Sequence, residues 1–301
     1  MPRPDRTGTP AARRAPGDPV PALSDITRFL SCPHCGGSLS LGAAVLRCGA
    51  GHTFDVARQG YVSLLGGRVP AEPADTAAMV AARAAFLDGG HFRPLAEGVA
   101  ETAQHIVAGA VGRCVIDVGS GPGYWLASVL DRLPAHAGIA IDISKPALRR
   151  AARAHPRIGA VACDVRAPIP VRTGCAALVL SVFAPRNAPE MRRILGPGGA
   201  LVVVTPTPDH LRELVGALGL LTVDPRKQER LEEALGSAFT RVAREARVFP
   251  LALARSATAA AVAMGPSAWH VDPAALRPAL DRLPDPLPVT VSVEIATWHP
   301  H

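Results

Sequence analysis

The residues in this chain best suited by type and spacing to chemistry begin with Cys32-Pro33-His34-Cys35, then twelve residues, then Cys48-Gly49-Ala50-Gly51-His52. Two short ligand pairs about a dozen residues apart close around one tetrahedral ion when a hairpin brings their knuckles together. Thiolate and imidazole are donors that zinc takes, and four protein ligands make such a site closed and structural. Cys32, Cys35 and Cys48 need a fourth donor. His52, on the second knuckle, is preferred, and His34 is the alternative.

A second constellation starts at Ile116-Asp117-Val118-Gly119-Ser120-Gly121-Pro122-Gly123, a glycine turn between an apolar run and a helical pattern. Glycines there let the backbone approach a ligand, and the helix N-terminus adds partial positive charge. Asp142 closes the next apolar run about twenty residues on, where a carboxylate can accept both ribose hydroxyls. Asp164 closes the run after that, where it can accept from an adenine amino group. No GK[ST] follows the glycines, which disfavours a P-loop nucleotidase. This order of glycines and aspartates resembles a class I S-adenosylmethionine-dependent methyltransferase rather than a dehydrogenase.

These residues need elements to hold them. The runs CVIDV (114–118), GIAIDI (138–143), AVACDV (160–165), ALVLSVF (177–183) and ALVVVTP (200–206) show little polar alternation, as strands covered on both faces do. Helical patterns between them predict right-handed βαβ crossovers and a doubly wound parallel sheet. Residues 75–110 read as two helices, the first with Asp75 as N-cap and Gly89-Gly90 as its end, the second from about 94 to 108. Residues 208–236 read as helical. Beyond them the sequence predicts a strand over 247–254, helices near 256–264 and 273–282, and a closing strand over 287–298. The division expected is a disordered extension (1–24), a zinc-binding module (25–66), a linker and helices covering the cofactor site (67–110), and a methyltransferase domain (111–301).

The chain has 301 residues, 48% hydrophobic and 19% charged, which excludes a wholly disordered protein. Mean hydropathy is +0.20, with no apolar run of the ~18 residues a spanning helix needs. The basic start MPRPDRTGTPAARRAP lacks the apolar core of a secretory signal, so a cytoplasmic chain without disulfides is expected. Cys114, Cys163 and Cys175 then read as small buried residues. The net charge of +7 is carried almost wholly by arginine, since Lys145 and Lys227 are the only lysines. Arginine suits a polyanionic partner, but a GC-rich genome gives the same bias, so charge alone decides nothing.

Longer stretches carry a closer likeness. CPHC, CGAGHTFDVARQGYVSLL (48–65), DTAAMVAARAAFLDGGHFRPL (75–95), DVGSGPG (117–123), VFAPRNAPEMRRILGPGGALVVVTPTPDHLREL (182–214) and AMGPSAWHVDP (263–273) resemble the 23S rRNA guanine-N1 methyltransferases. Within them the branch conferring resistance to tylosin- and mycinamicin-type macrolides is the most similar, from about residue 28 to 298. The resemblance assigns RNA recognition to the module at 25–66, as a zinc ribbon that grips an rRNA hairpin, and implies a Rossmann-like methyltransferase domain, and Zn2+ and S-adenosyl-L-methionine as cofactors. It implies Cys32, Cys35, Cys48 and His52 as zinc ligands and Gly121 and Pro122 as cofactor contacts. Phe92 matches an aromatic cofactor contact that is usually tyrosine, keeping the packing and losing the hydroxyl. His210 matches a histidine at the cofactor site.

Guanine N1 lies on the Watson–Crick edge, so the base must be extruded or already unpaired, as in a hairpin loop. Residues 183–187, after the fourth strand, are expected to meet it, with Phe183 or Tyr124 stacking, Arg186 on a phosphate and Asn187 on the guanine edge. The sequence singles out no general base. Arg28, Arg47, Arg58 and Arg68 offer a phosphate-facing set on the zinc module. Neither a membrane nor DNA is expected as a partner, and no oligomeric state, a homo-oligomer included, is legible. A small-molecule methyltransferase and a non-enzymatic zinc-ribbon RNA-binding protein are the alternatives.

Overall fold

The computed structural model describes residues 21–67, 74–224, 226–265, 268 and 273–301. Arg68 and the first twenty residues of the expected extension lie outside them. Helix α1 (Pro21–Thr27) begins inside that extension, because Ala22, Leu23 and Ile26 are buried. Ile26 takes the room left by Gly159, where a Cβ would lie 2.4 Å from its Cδ1.

A three-stranded antiparallel sheet follows, made of β1 (Leu39–Leu41), β2 (Val45–Cys48) and β3 (Thr53–Asp55). Leu39, Leu46 and Phe54 are its buried residues besides Cys48, too few to hold a fold alone. The chain leaves through β4 (Tyr61–Ser63), which does not stay in the ribbon. It pairs in parallel with β7 (Ile158–Ala162), Val62 opposite Val161, and becomes the edge strand of the large sheet. A bridge between Leu30 and Val171 and a hydrogen bond from Arg172 to Ser38 Oγ fasten the module further.

The other strands of the large sheet are β5 (Cys114–Val118), β6 (Ala137–Asp142), β8 (Ala176–Val182), β9 (Leu195–Pro206), β10 (Phe239–Leu253) and β11 (Leu287–Pro300), in the order β10-β11-β9-β8-β5-β6-β7-β4. From β4 to β9 all pairings are parallel. β11 lies antiparallel between β9 and β10, so the sheet is mixed rather than wholly parallel. The apolar run 287–298 specified a strand, but nothing in it specified direction, which the return from β10 sets.

Helices cover both faces. α2 (Ala77–Asp88), α3 (Arg93–Val107) and α4 (Tyr124–Arg132) bury Phe86, Leu95, Val99 and Leu126 against Val115, Leu178 and Val202. On the other face α1, α6 (Ala188–Ile194) and α8 (Lys227–Gly236) bury Leu23, Met191 and Leu231 with Ile116, Val179 and Val203. α5 (Lys145–Ala154) joins β6 to β7, and α7 (Arg212–Leu218), α9 (Arg255–Ala263) and α10 (Pro273–Asp281) complete the described helices. The expected helix over 208–236 is thus two helices, broken at Gly219, which takes φ +60°. Among the described residues no helix is long and apolar enough to cross a membrane.

Candidate functional site

The ribbon's two knuckles place four donors together. Cys32 Sγ lies 3.6 Å and Cys48 Sγ 3.3 Å from His52 Nδ1, and Cys35 Sγ lies 3.7 Å from Cys48 Sγ. All four donor atoms fall within 4.8 Å of one another. A tetrahedron with Zn–S near 2.3 Å and Zn–N near 2.0 Å has edges of roughly 3.5–3.8 Å, so the residues fit zinc. Each knuckle turns on a glycine that an L side chain would strain, Gly36 at φ +70° and Gly51 at φ +87°. Burial pushes the Cys48 thiol up, but hydrogen bonding with His52 outweighs it and brings the group down to about 6. His34 is not a donor here. Its ring packs 4.9 Å from that of His52 and stacks on Phe54, and the donors that converge are those of Cys32, Cys35, Cys48 and His52.

The glycine turn leaves β5 at the carboxyl edge of the parallel strands, where such sheets take ligands. Gly119 and Ser120 donate to the Ile141 carbonyl at 2.8 and 2.9 Å, pinning the turn to the end of β6. Gly119 sits at φ +74°, and a Cβ on it would meet Ala184 Cβ at 2.5 Å, so only glycine fits. Asp142 accepts from Gly121 N and Ser144 N, both at 2.8 Å, and still has free lone pairs on each oxygen. Asp164, just beyond β7, is half-buried and accepts from Arg166 N at 3.0 Å. Pro122 follows in the turn and is buried.

Asp117 is the unusual group. It is wholly buried, and neither carboxylate oxygen has a hydrogen-bond partner. Burial, and then the nearby charge of Asp142, push it up to about 8. An orphaned buried carboxyl is costly and calls for a partner from outside the chain. S-adenosylmethionine carries positive charge on its sulfonium and its ammonium, so these residues fit that cofactor.

Above the turn, Phe92, Trp125, Phe183 and His210 form a ring cluster, with centroids 5.9–6.3 Å apart. Phe183 adopts φ +53°, a strained left-handed conformation for a bulky residue, and is 40% exposed. His210 Nδ1 accepts from Ser292 N at 3.3 Å, and burial holds the imidazole down to about 4, so the ring is neutral with its proton on Nε2. Arg186 is half-buried, and its Nε is fully buried without a partner.

Other expected roles are redistributed. Asn187 caps α6: its Oδ1 accepts from Glu190 N at 3.5 Å and its Nδ2 donates to Ala167 O at 3.4 Å. Tyr124 packs edge-on against Trp125, 5.1 Å between centroids, at the border of the ring cluster. Thr76, not Asp75, caps α2, which leaves Asp75 to pair with Arg83. Arg83 also donates to the Met264 carbonyl at 2.6 Å and lies over Gly121, holding α2 across the turn. Arg47 and Arg58 are exposed on the ribbon, whereas Arg28 stacks on Phe29 beside Arg113, where β5 begins. Sequence reasoning missed Arg83, whose place over the turn depends on partners far along the chain.

Comparison with known proteins agrees with this geometry. The family model described as RlmA, N-terminal, a zinc ribbon, matches residues 30–68, and one described as Methyltransferase domain matches residues 115–199. A 23S rRNA (guanine(748)-N(1))-methyltransferase from Streptomyces fradiae is 50% identical over 277 residues, 92% of this chain and 98% of the relative. A relative from Micromonospora griseorubida, named for the same reaction without a position, is 47% identical over 292 residues, 92% of this chain and 99% of its own length.

Proposed function

Because the chain belongs to the 23S rRNA (guanine-N1)-methyltransferase family, we propose that it methylates N1 of a guanine in a 23S rRNA hairpin loop, and that the modified base gives resistance to tylosin- and mycinamicin-type macrolides. S-adenosylmethionine supplies a methyl group already activated on a sulfonium. The protein's share is placement, and holding oriented reactants is worth ~7–11 kcal/mol. Gly119, Gly121 and Pro122 give the cofactor a close backbone approach, Asp142 takes its ribose hydroxyls and Asp164 its adenine amino group. Asp117 supplies a buried negative charge under its positive end. Phe92 and His210 wall it on the ring side.

The target base enters from the exposed side of the cluster, where Phe183 is positioned to stack on it. Arg186 meets an anionic part of the substrate. Asn187, occupied as a helix cap, sets the position of Arg186 instead of reading the base. The observation that carries this reading is that β4 joins the Cys32/Cys35/Cys48/His52 module to the sheet bearing the glycine turn. An RNA held by one is therefore presented to the other in fixed geometry. Cysteines kept as thiols, three of them as zinc ligands, suit the cytoplasm, where rRNA is made.

The test is transfer of labelled methyl to total rRNA, mapped by primer extension and mass spectrometry. N1 methylation blocks base pairing, so reverse transcription halts at one guanine in 23S rRNA. Label on a different ring atom, or on small molecules alone, refutes the reading.

A further inference from the structure

Beside the cofactor contacts, the carboxyl edge of the sheet holds cations that no neighbouring carboxylate neutralises. Arg186 follows the strained Phe183 by three residues, and its buried Nε has no partner. Lys227 opens α8, is half-buried, and forms no ion pair with the described residues. Burial, and then the Arg186 charge, hold its ammonium below the ordinary range. Burial holds Arg186 itself down to about 10. His210 completes the group: its ring is 5.9 Å from Phe183, and it is held by Ser292 N on β11, two residues from Glu294, which accepts from Gln228 next to Lys227.

The carboxylates packed against this group are engaged elsewhere. Glu294 accepts from Gln228 at 2.9 Å and pairs with Arg244, and Glu213 accepts from Thr290 N and Oγ1 at 2.8 and 2.6 Å. Asp117 and Asp142 lie beneath the glycine turn, on the cofactor side. Tyr124, with Arg93, Glu97 and Asp88 around it, belongs to the α2–α3 side. Like charges held partly out of water are costly until an anion joins them.

Resting on the proposed rRNA reading, we infer that this anion is the target guanine itself, deprotonated at N1, with Arg186, Lys227 and the His210 Nε2–H gathered at its O6. The N1–H bond breaks heterolytically, its proton leaves to solvent water, and its electron pair is shared between N1 and O6. That pair forms the N1–methyl bond as the carbon–sulfur bond breaks, the latter's electrons staying on sulfur. The product base is neutral, and no protein base is required. A backbone phosphate is the other anion available to RNA. It is disfavoured because Arg186 follows Phe183 by three residues, so its cation lies where the base that stacks on Phe183 must sit for transfer.

The experiment is single-turnover methyl transfer to an rRNA hairpin from pH 6 to 10, with wild type, Lys227→Gln and Lys227→Arg, alongside binding of the same hairpin across a salt series. The expected result is a wild-type rate that rises with pH to a plateau. Lys227→Gln displaces that rise upward by about one to two units, the effect of one charge within ~4–6 Å. Lys227→Arg restores the wild-type profile. Coincident profiles for all three overturn the inference, as does a Lys227→Gln profile that is unmoved while hairpin affinity falls and its salt dependence flattens, which marks a phosphate contact. No transfer to guanine by the wild type overturns the rRNA reading first, and this inference with it.

Discussion

Replacing Asp117 by Asn should make the cofactor-free protein more stable and the enzyme worse. In the unfolded chain this carboxyl ionises at its ordinary 3.8, whereas in the fold it keeps its proton up to about 8. Its contribution to stability is therefore fully present below the unfolded value and is lost as pH rises through the window to about 8. At ~1.36 kcal/mol per unit, the loss is on the order of 4 kcal/mol at pH 7, and it grows by about 2 kcal/mol from pH 6 to pH 8. An asparagine of the same shape does not titrate. Urea denaturation of the ligand-free protein at pH 6, 7 and 8 should show wild type weakening across the series and Asp117→Asn holding nearly level. Binding should move the other way. A cation beside Asp117 favours its ionised form, so calorimetry with S-adenosylmethionine near pH 7, repeated in buffers of different ionisation enthalpy, should show release of about one proton by wild type. The variant should release none and bind at least tenfold more weakly. If the two proteins share one pH slope of stability, burial is not what governs this group. If wild type releases no proton, Asp117 is not the charge partner of the cofactor.

Removing the metal should separate the two halves of the activity. The ribbon has few buried apolar residues, and structural zinc supplies ~10–16 kcal/mol of apparent binding energy in such modules, so chelation should abolish hairpin binding. Cofactor affinity should change only a few-fold, since the glycine turn is pinned by β6; a chelated protein that still binds the hairpin contradicts this. Phe183→Gly should raise the denaturation midpoint by relieving a left-handed bulky residue, worth ~1–2 kcal/mol. The same change should cut methyl transfer roughly 5- to 150-fold through loss of ~1–3 kcal/mol of base stacking; unchanged transfer would remove Phe183 from the substrate site. Arg47→Ala and Arg58→Ala should each lower the slope of log affinity against log salt by about one without altering which guanine is modified, and an unchanged slope would clear that arginine of any phosphate contact.

What the sequence could and could not disclose follows from the range of each interaction. The zinc cluster was legible because its ligands are local pairs whose spacing is itself the geometry, and the preference for His52 over His34 agrees with the donors that converge. The βα order and the glycine turn were legible because burial on both faces leaves an unbroken apolar run. The direction of β11 was not, since the run 287–298 reads the same either way. Nor was the departure of β4 from the ribbon to the large sheet, which depends on partners about a hundred residues away, Tyr61 pairing with Ala160. Asn187 had the right chemistry to read a base, but a helix start also needs that chemistry, and the structure shows it used there.

The two unpaired groups of the site have opposite signs, and that gives the methyl transfer its physical setting. Asp117 is a buried carboxyl that keeps its proton until a cation arrives, below the glycine turn; Arg186 and Lys227 are half-buried cations without an anion among the described residues. Each alone is a cost that packing did not remove. Together they form a field running across the place where a cationic donor meets an anionic acceptor. Transfer between such reactants cancels both charges, so a dry, low-dielectric setting favours it more than water does, provided each reactant is first held by its own counter-charge. In the free protein the strain of Phe183 and the elevated Asp117 are thus the cost of a site built for charges that arrive only with its ligands.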